Sequence, residues 1–159
     1  MENAEGLIKP LGLSSLLPYD AKVADIAGIN ALTASLYMRD FLLGVEEASR
    51  LHSRAVFSLE QAKDISACRR SVATLDRAPD GLRQKNMRVN EEFCKQFAMS
   101  DIDYLMAREA EGYWKAMVSY LEMKIKKYQG GYEAAKGIAY QTRDPRGSGG
   151  SLPSGRDSA

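Results

Sequence analysis

Residues 100–132, SDIDYLMAREAEGYWKAMVSYLEMKIKKYQGGY, write two apolar rows side by side on one helical period. Met106, Ala110, Tyr113, Met117 and Tyr120 recur in steps of four and three. Trp114, Val118, Leu121, Ile125 and Tyr128 repeat the pattern one residue over. One row needs one partner helix, whereas two rows can serve two partners. Either a single broad face covers a three- or four-helix core, or one row belongs to another copy of the chain. Few other core helices are on offer, which favours a homo-oligomer. Its interface is expected at Tyr113, Trp114, Met117, Val118, Tyr120, Leu121, Ile125 and Tyr128.

This helix has a readable start and stop. Ser100 followed by Asp103 resembles a capping box, and Asp101 and Asp103 suit the positive end of the helix dipole. Lys124, Lys126 and Lys127 suit the other end, and Gly130-Gly131 predicts the stop. Glu111–Lys115 and Glu122–Lys126 have the i,i+4 spacing of helix ion pairs. A short helix is expected over residues 132–143, then a flexible Gly/Ser-rich tail over residues 145–159.

Upstream, residues 1–19 read as an arm with loop character, whose Leu13, Leu16 and Leu17 dock either on a neighbour or loosely on their own chain. No proline occurs from Asp20 to Leu75. Asp20 is the expected N-cap of a first helix, with Gly28 and Gly44 as points where it bends or breaks. Val45, Ala48, Leu51, Ala55, Leu59, Ala62, Ile65, Cys68, Val72 and Leu75 predict an amphipathic helix of about eight turns. DRAPDG (residues 76–81) ends it, through Pro79 and the Asp80-Gly81 turn. A less regular helix is expected over Leu82–Phe97. The fold class is therefore all-α: an elongated bundle, one domain over residues 20–144, with a long helix in the C-terminal half followed by a short one.

Few residues point to chemistry. His52 is the only histidine, Cys68 and Cys94 have no metal or redox spacing, and no phosphate loop is present. The acids at 101–103 are better explained by helix capping than by a metal. No catalytic residue, metal or cofactor is expected. No segment is apolar enough to span a membrane, and the N-terminus lacks a signal-peptide pattern, so a cytoplasmic protein is expected.

Basic residues are more informative. Between Arg69 and Arg88, six cations (Arg69, Arg70, Arg77, Arg83, Lys85, Arg88) face Asp76 and Asp80, in a chain whose net charge is only +1. Arg50 and Arg54 lie one turn apart further up, with Lys63 beyond. Such a track suits salt-sensitive, sequence-independent phosphate contacts. The alternative is a solvated face of scattered ion pairs. Tyr104, Tyr113 and Trp114 are stacking platforms for bases only if exposed.

The stretch SDIDYLMAREAEGYWKAMVSYLEMKIKKYQGGYEAAKGIAYQTR resembles the UvsY recombination mediator family of T4-type bacteriophages, as does DAKVADIAGINALTASLYMRDF. The likeness spans roughly Tyr19 to Asp144. Tyr113-Trp114 and the Gly130-Gly131-Tyr132 break are its most specific parts. The resemblance implies a non-enzymatic, all-helical protein of DNA recombination and repair that forms a ring-like oligomer and binds single-stranded DNA. Its implied partners are the single-strand-binding protein and a RecA-like recombinase, in the host cytoplasm for a phage-encoded chain. It places DNA contacts on the long middle helix, here Arg54, Lys63, Arg69 and Arg70, offset by Glu60 and Asp64. The alternative expectation is a helical oligomeric adaptor with no DNA role.

Overall fold

Two helices of about 60 Å carry the chain. A computed structural model describes residues 8–141 as α1 (Leu17–Ala24), α2 (Ala34–Val72), α3 (Ala78–Gln84), α4 (Glu91–Ala98) and α5 (Ile102–Gln141), with short 3-10 turns at Leu13–Leu16 and Ile26–Gly28. Among the described residues there is no strand, and no helix is long and apolar enough to cross a membrane. The expected tail at 145–159 and the first seven residues of the expected arm lie outside the described residues.

The chain turns into α2 at Asn30. Its side-chain oxygen accepts from the N–H of Leu32 at 3.0 Å and Thr33 at 3.1 Å, and the Thr33 hydroxyl accepts from the Asn30 N–H at 3.1 Å. This reciprocal pair meets donors that the first helical turn cannot. Asp20 is therefore not the N-cap expected of it. It lies inside α1, whose first turn holds Pro18, and the backbone breaks between Asp25 and Thr33 before α2 begins.

α2 and α5 run antiparallel, because Phe41 meets Gly131, Gly44 meets Tyr128, and Arg69 meets Asp103. Large side chains of one helix sit over small residues of the other. The main buried cluster joins Ala48, Leu51, Ala55 and Ala62 of α2 to Trp114, Leu121 and Tyr128 of α5. Gly44 does not break α2. A Cβ there would stand 3.0 Å from the Tyr19 ring and 3.2 Å from that of Tyr128, so the glycine is a packing notch inside a continuous helix.

The N-terminal segment is a third layer, not a loose arm. Leu11 and Leu16 belong to the main buried cluster, while Leu17 points outward. Tyr19 packs edge-on against Tyr128 at 6.0 Å. Asp20 accepts from Lys124 Nζ at 2.7 and 2.6 Å and from the Tyr128 hydroxyl at 3.1 Å. Further along, Tyr37 donates to Asp25. Leucines spaced at 11, 13 and 16 bury only because the α2–α5 pair offers a groove, which the local sequence does not reveal.

The DRAPDG segment does not stop the helix. Val72 leads into one π-helical turn, Ala73–Arg77, and then directly into α3. The wider π turn stands directly before Pro79, in the first turn of α3, and lets the helical path continue past a residue that has no N–H to donate. Ala78 keeps helical angles despite preceding proline because it is fully buried, in a cluster with Leu82 and Cys94 packed by Phe93 and Phe97. The helix expected at Leu82–Phe97 is two helices. Asn86 at φ 54° closes α3, with Asn86 N–H bonded to Arg83 C=O and Met87 N–H to Leu82 C=O, a Schellman end. Asn90 then caps α4 by accepting from Phe93 N–H at 2.8 Å.

α5 differs from expectation at both ends. Asp101, not Ser100, is the cap: its carboxylate accepts from the N–H of Asp103 and Tyr104, each at 3.1 Å. Gly130-Gly131 does not end the helix, and the short helix expected after it is the last three turns of α5. Each mid-helix glycine costs about 1 kcal/mol against alanine. Tertiary packing offsets that cost, since Tyr132, Ala135, Ile138 and Ala139 close over Ile29, Ala34, Tyr37 and Phe41. The two glycines are consequently not equivalent. A Cβ on Gly131 would stand 2.8 Å from the buried Phe41 ring, whereas one on Gly130 meets nothing within 4 Å. Gly130→Ala should raise stability by about 0.5–1 kcal/mol, and Gly131→Ala should lower it by about 1–3 kcal/mol, read as opposite shifts of the urea midpoint.

Candidate nucleic-acid interface

The register of the hairpin brings together cations that are remote in sequence. Near its end, α2 carries Ser66 and Arg70. Near its beginning, α5 carries Tyr104, Arg108, Glu111, Gly112 and Lys115. Together with Met99 they line an open groove of about 360 Å³. Arg108, Glu111 and Lys115 share one side of α5 through their spacing of three, four and seven. Ser66 and Tyr104 are buried at the base, and Gly112 adds no side chain. Arg70 also borders a second depression of about 250 Å³ with Ser71, Thr74, Leu75 and Lys95. The first groove thus holds three cations against one carboxylate, Glu111.

Most of the cations singled out by sequence are already engaged. Arg50 grips Glu47 with two bonds, at 2.9 and 2.7 Å. Lys63 meets Glu60 at 2.8 Å, and Arg83 meets Asp80 at 3.2 Å. Arg69 lies 3.6 Å from Asp103, while Arg77 bridges Asp101 at 3.0 Å and Asp103 at 2.6 Å. Lys85 stands over the Phe97 ring. Arg54, Arg70 and Arg88 form no salt bridge among the described residues. The acids that open α5 therefore cancel about half of the charge excess between Arg69 and Arg88, by engaging Arg69 and Arg77, and they interrupt the expected track at those two residues. Arg108 and Lys115 were missed because nothing in the local sequence pairs them with Arg70; only the hairpin register does. The expected Glu111–Lys115 and Glu122–Lys126 bridges do not form. Glu111 instead adds its field to Lys63, and Glu122 approaches His52 Nε2 at 3.6 Å.

The expected oligomer interface also needs correction. Trp114, Leu121 and Tyr128 are closed inside their own protomer, and Met117, Val118 and Ile125 pack half-buried on the same cluster. Of that set, only Tyr113 and Tyr120 are exposed, at 36% each. Within the protomer, Leu11 and Leu16 of the N-terminal segment help to cover the row of Trp114, Leu121 and Tyr128. Tyr104 and Trp114 are likewise too buried for stacking. Tyr113 leans edge-on against Trp114 at 5.2 Å.

The ion pairs set the acid response. Hydrogen bonds from Arg50 and Ser15 hold the Glu47 carboxyl down at about 2, against an ordinary 4.5. Burial pushes the Asp101 carboxyl up, but Arg77 and the Tyr104 and Asp103 N–H groups outweigh it, and the group titrates below its usual range. Depressed carboxyls stabilise the fold above their unfolded pKa, and that contribution is lost as pH falls through the folded value. Stability should therefore decline from about pH 4.5 towards pH 2. Because Ser15 is one of the Glu47 partners, amide protection factors in the N-terminal segment, taken relative to the intrinsic exchange rate at each pH, should fall in that window.

No family model, curated protein or solved structure matches this chain.

Proposed function

We propose that this protein is a non-enzymatic recombination mediator. It binds single-stranded DNA along the α2–α5 groove and assists a RecA-like recombinase onto DNA covered by single-strand-binding protein. The observation that carries the DNA reading is the convergence of Arg70, Arg108 and Lys115 on one open groove with a single opposing carboxylate. The resemblance of the Ser100–Arg143 stretch to the UvsY family supports the recombination role. Copies of the chain meet through an exposed leucine row at the start of α2, Leu36 and Leu43, together with Leu32 in the turn just before it, which is 89% exposed. A ring then adds weak phosphate sites into useful avidity.

A second reading, a helical adaptor without a DNA role, is favoured by the five sequence-picked arginines and lysines already bonded to their own carboxylates. Fluorescence anisotropy with labelled oligo-dT over a salt series separates the two. The mediator binds with an affinity that falls as salt rises. An adaptor shows no binding even at low salt.

A further inference from the structure

The largest exposed aromatic on α2 has no role in the groove described above. Phe57 is 64% exposed in the middle of the helix. It borders a separate depression of about 410 Å³, whose other walls include Lys9, Arg54, Ser58, Gln61 and Trp114. This depression lies beside the N-terminal segment, which supplies Lys9. Along the α2 axis, Arg54 is about 24 Å from Arg70.

We infer that Phe57 is the stacking platform of a nucleobase subsite, a conclusion that rests on the single-stranded DNA reading above. Three features converge on that chemistry. First, an aromatic ring left in water on a rigid helix offers a π-face that accepts any base without regard to sequence. Second, Arg54 lies three residues before Phe57 on the same side of α2 and forms no salt bridge among the described residues, while Lys9 faces the site from the N-terminal segment. Among the described residues no carboxylate lines the depression, so both cations face the phosphates that flank a stacked base. Third, the Gln61 amide and the Ser58 hydroxyl are neutral groups able to donate to or accept from a base edge. A volume of this size accommodates one base. Trp114, the sole tryptophan, forms part of the wall and gives the site its own reporter.

The test is anisotropy with labelled oligo-dT at fixed salt. Phe57→Ala should weaken binding roughly fivefold to a hundredfold while leaving the salt slope intact, because a ring without charge releases no counterions. Phe57→Tyr should retain most of the affinity. Arg54→Ala should lower the slope by about 0.7. Oligo-dT should also change the Trp114 emission of the parent protein but not that of Phe57→Ala. Parent-like affinity in Phe57→Ala, with the parent binding normally, overturns the subsite and spares the groove. An altered sedimentation coefficient for Phe57→Ala makes the ring a subunit contact and equally overturns it. If the parent binds no oligo-dT, both readings fall together.

Discussion

Trp114→Ala should destabilise the fold by about 3–5 kcal/mol, the largest single-residue effect expected in this chain. Trp114 is 1% exposed and the largest of the fully buried side chains. It shares one cluster with Leu11 of the N-terminal segment and with Leu51 and Ala55 of α2, so its removal opens a cavity where three layers meet. Folded domains of this kind are stable by only about 5–15 kcal/mol, so the loss consumes much of the total. Far-UV circular dichroism in urea should show a lower midpoint with an unchanged slope. The outcome also decides what the residue does. A subunit contact gives a different signature: a normal midpoint for the protomer, with assembly lost on dilution. That result would return Trp114 to an interface between copies.

Periodicity alone made the helical class, the centre of α2 and the body of α5 legible, because steps of three and four survive whatever the helices pack against. It failed wherever a local signal was outweighed by a distant partner. Gly130-Gly131 carries a stop signal, yet Phe41, some ninety residues earlier, fills the notch left by Gly131. Pro79 carries a break signal, yet one π turn and the burial of Ala78 absorb it. The two apolar rows of α5 were visible, but their cover was not, since Leu11 and Leu16 sit in a stretch that reads as loop. The site behaves in the same way. Arg70 is conspicuous in an arginine pair, while Arg108 and Lys115 look like ordinary helix-surface charges until the antiparallel register sets them across from it. The acids at 101 and 103 were read as helix-start residues, and their second task, neutralising Arg77 and Arg69, needed the same register.

Replacing Arg70, Arg108 and Lys115 together with alanine should reduce the affinity for oligo-dT at least tenfold near 0.1 M salt. The slope of log affinity against log salt should fall by about two. Each phosphate contact with a single strand contributes about 0.7 to that slope, so losing three contacts gives roughly this change. The three side chains are exposed and form no salt bridge among the described residues, so stability should move by no more than about 0.5 kcal/mol for each. Arg77→Ala is the matched control. It leaves Asp101, whose side chain is 8% exposed, without its guanidinium, and should cost about 1–3 kcal/mol of stability while leaving the slope unchanged. Glu111→Gln acts in the opposite direction, removing the groove's one carboxylate, and should tighten binding. A slope that survives the triple substitution but falls with Arg83→Ala and Arg88→Ala would move the phosphate track to the α3–α4 connection. Tightening on Glu111→Gln is the sign that only the groove predicts, because Glu111 lies in it and the α3–α4 connection does not reach it.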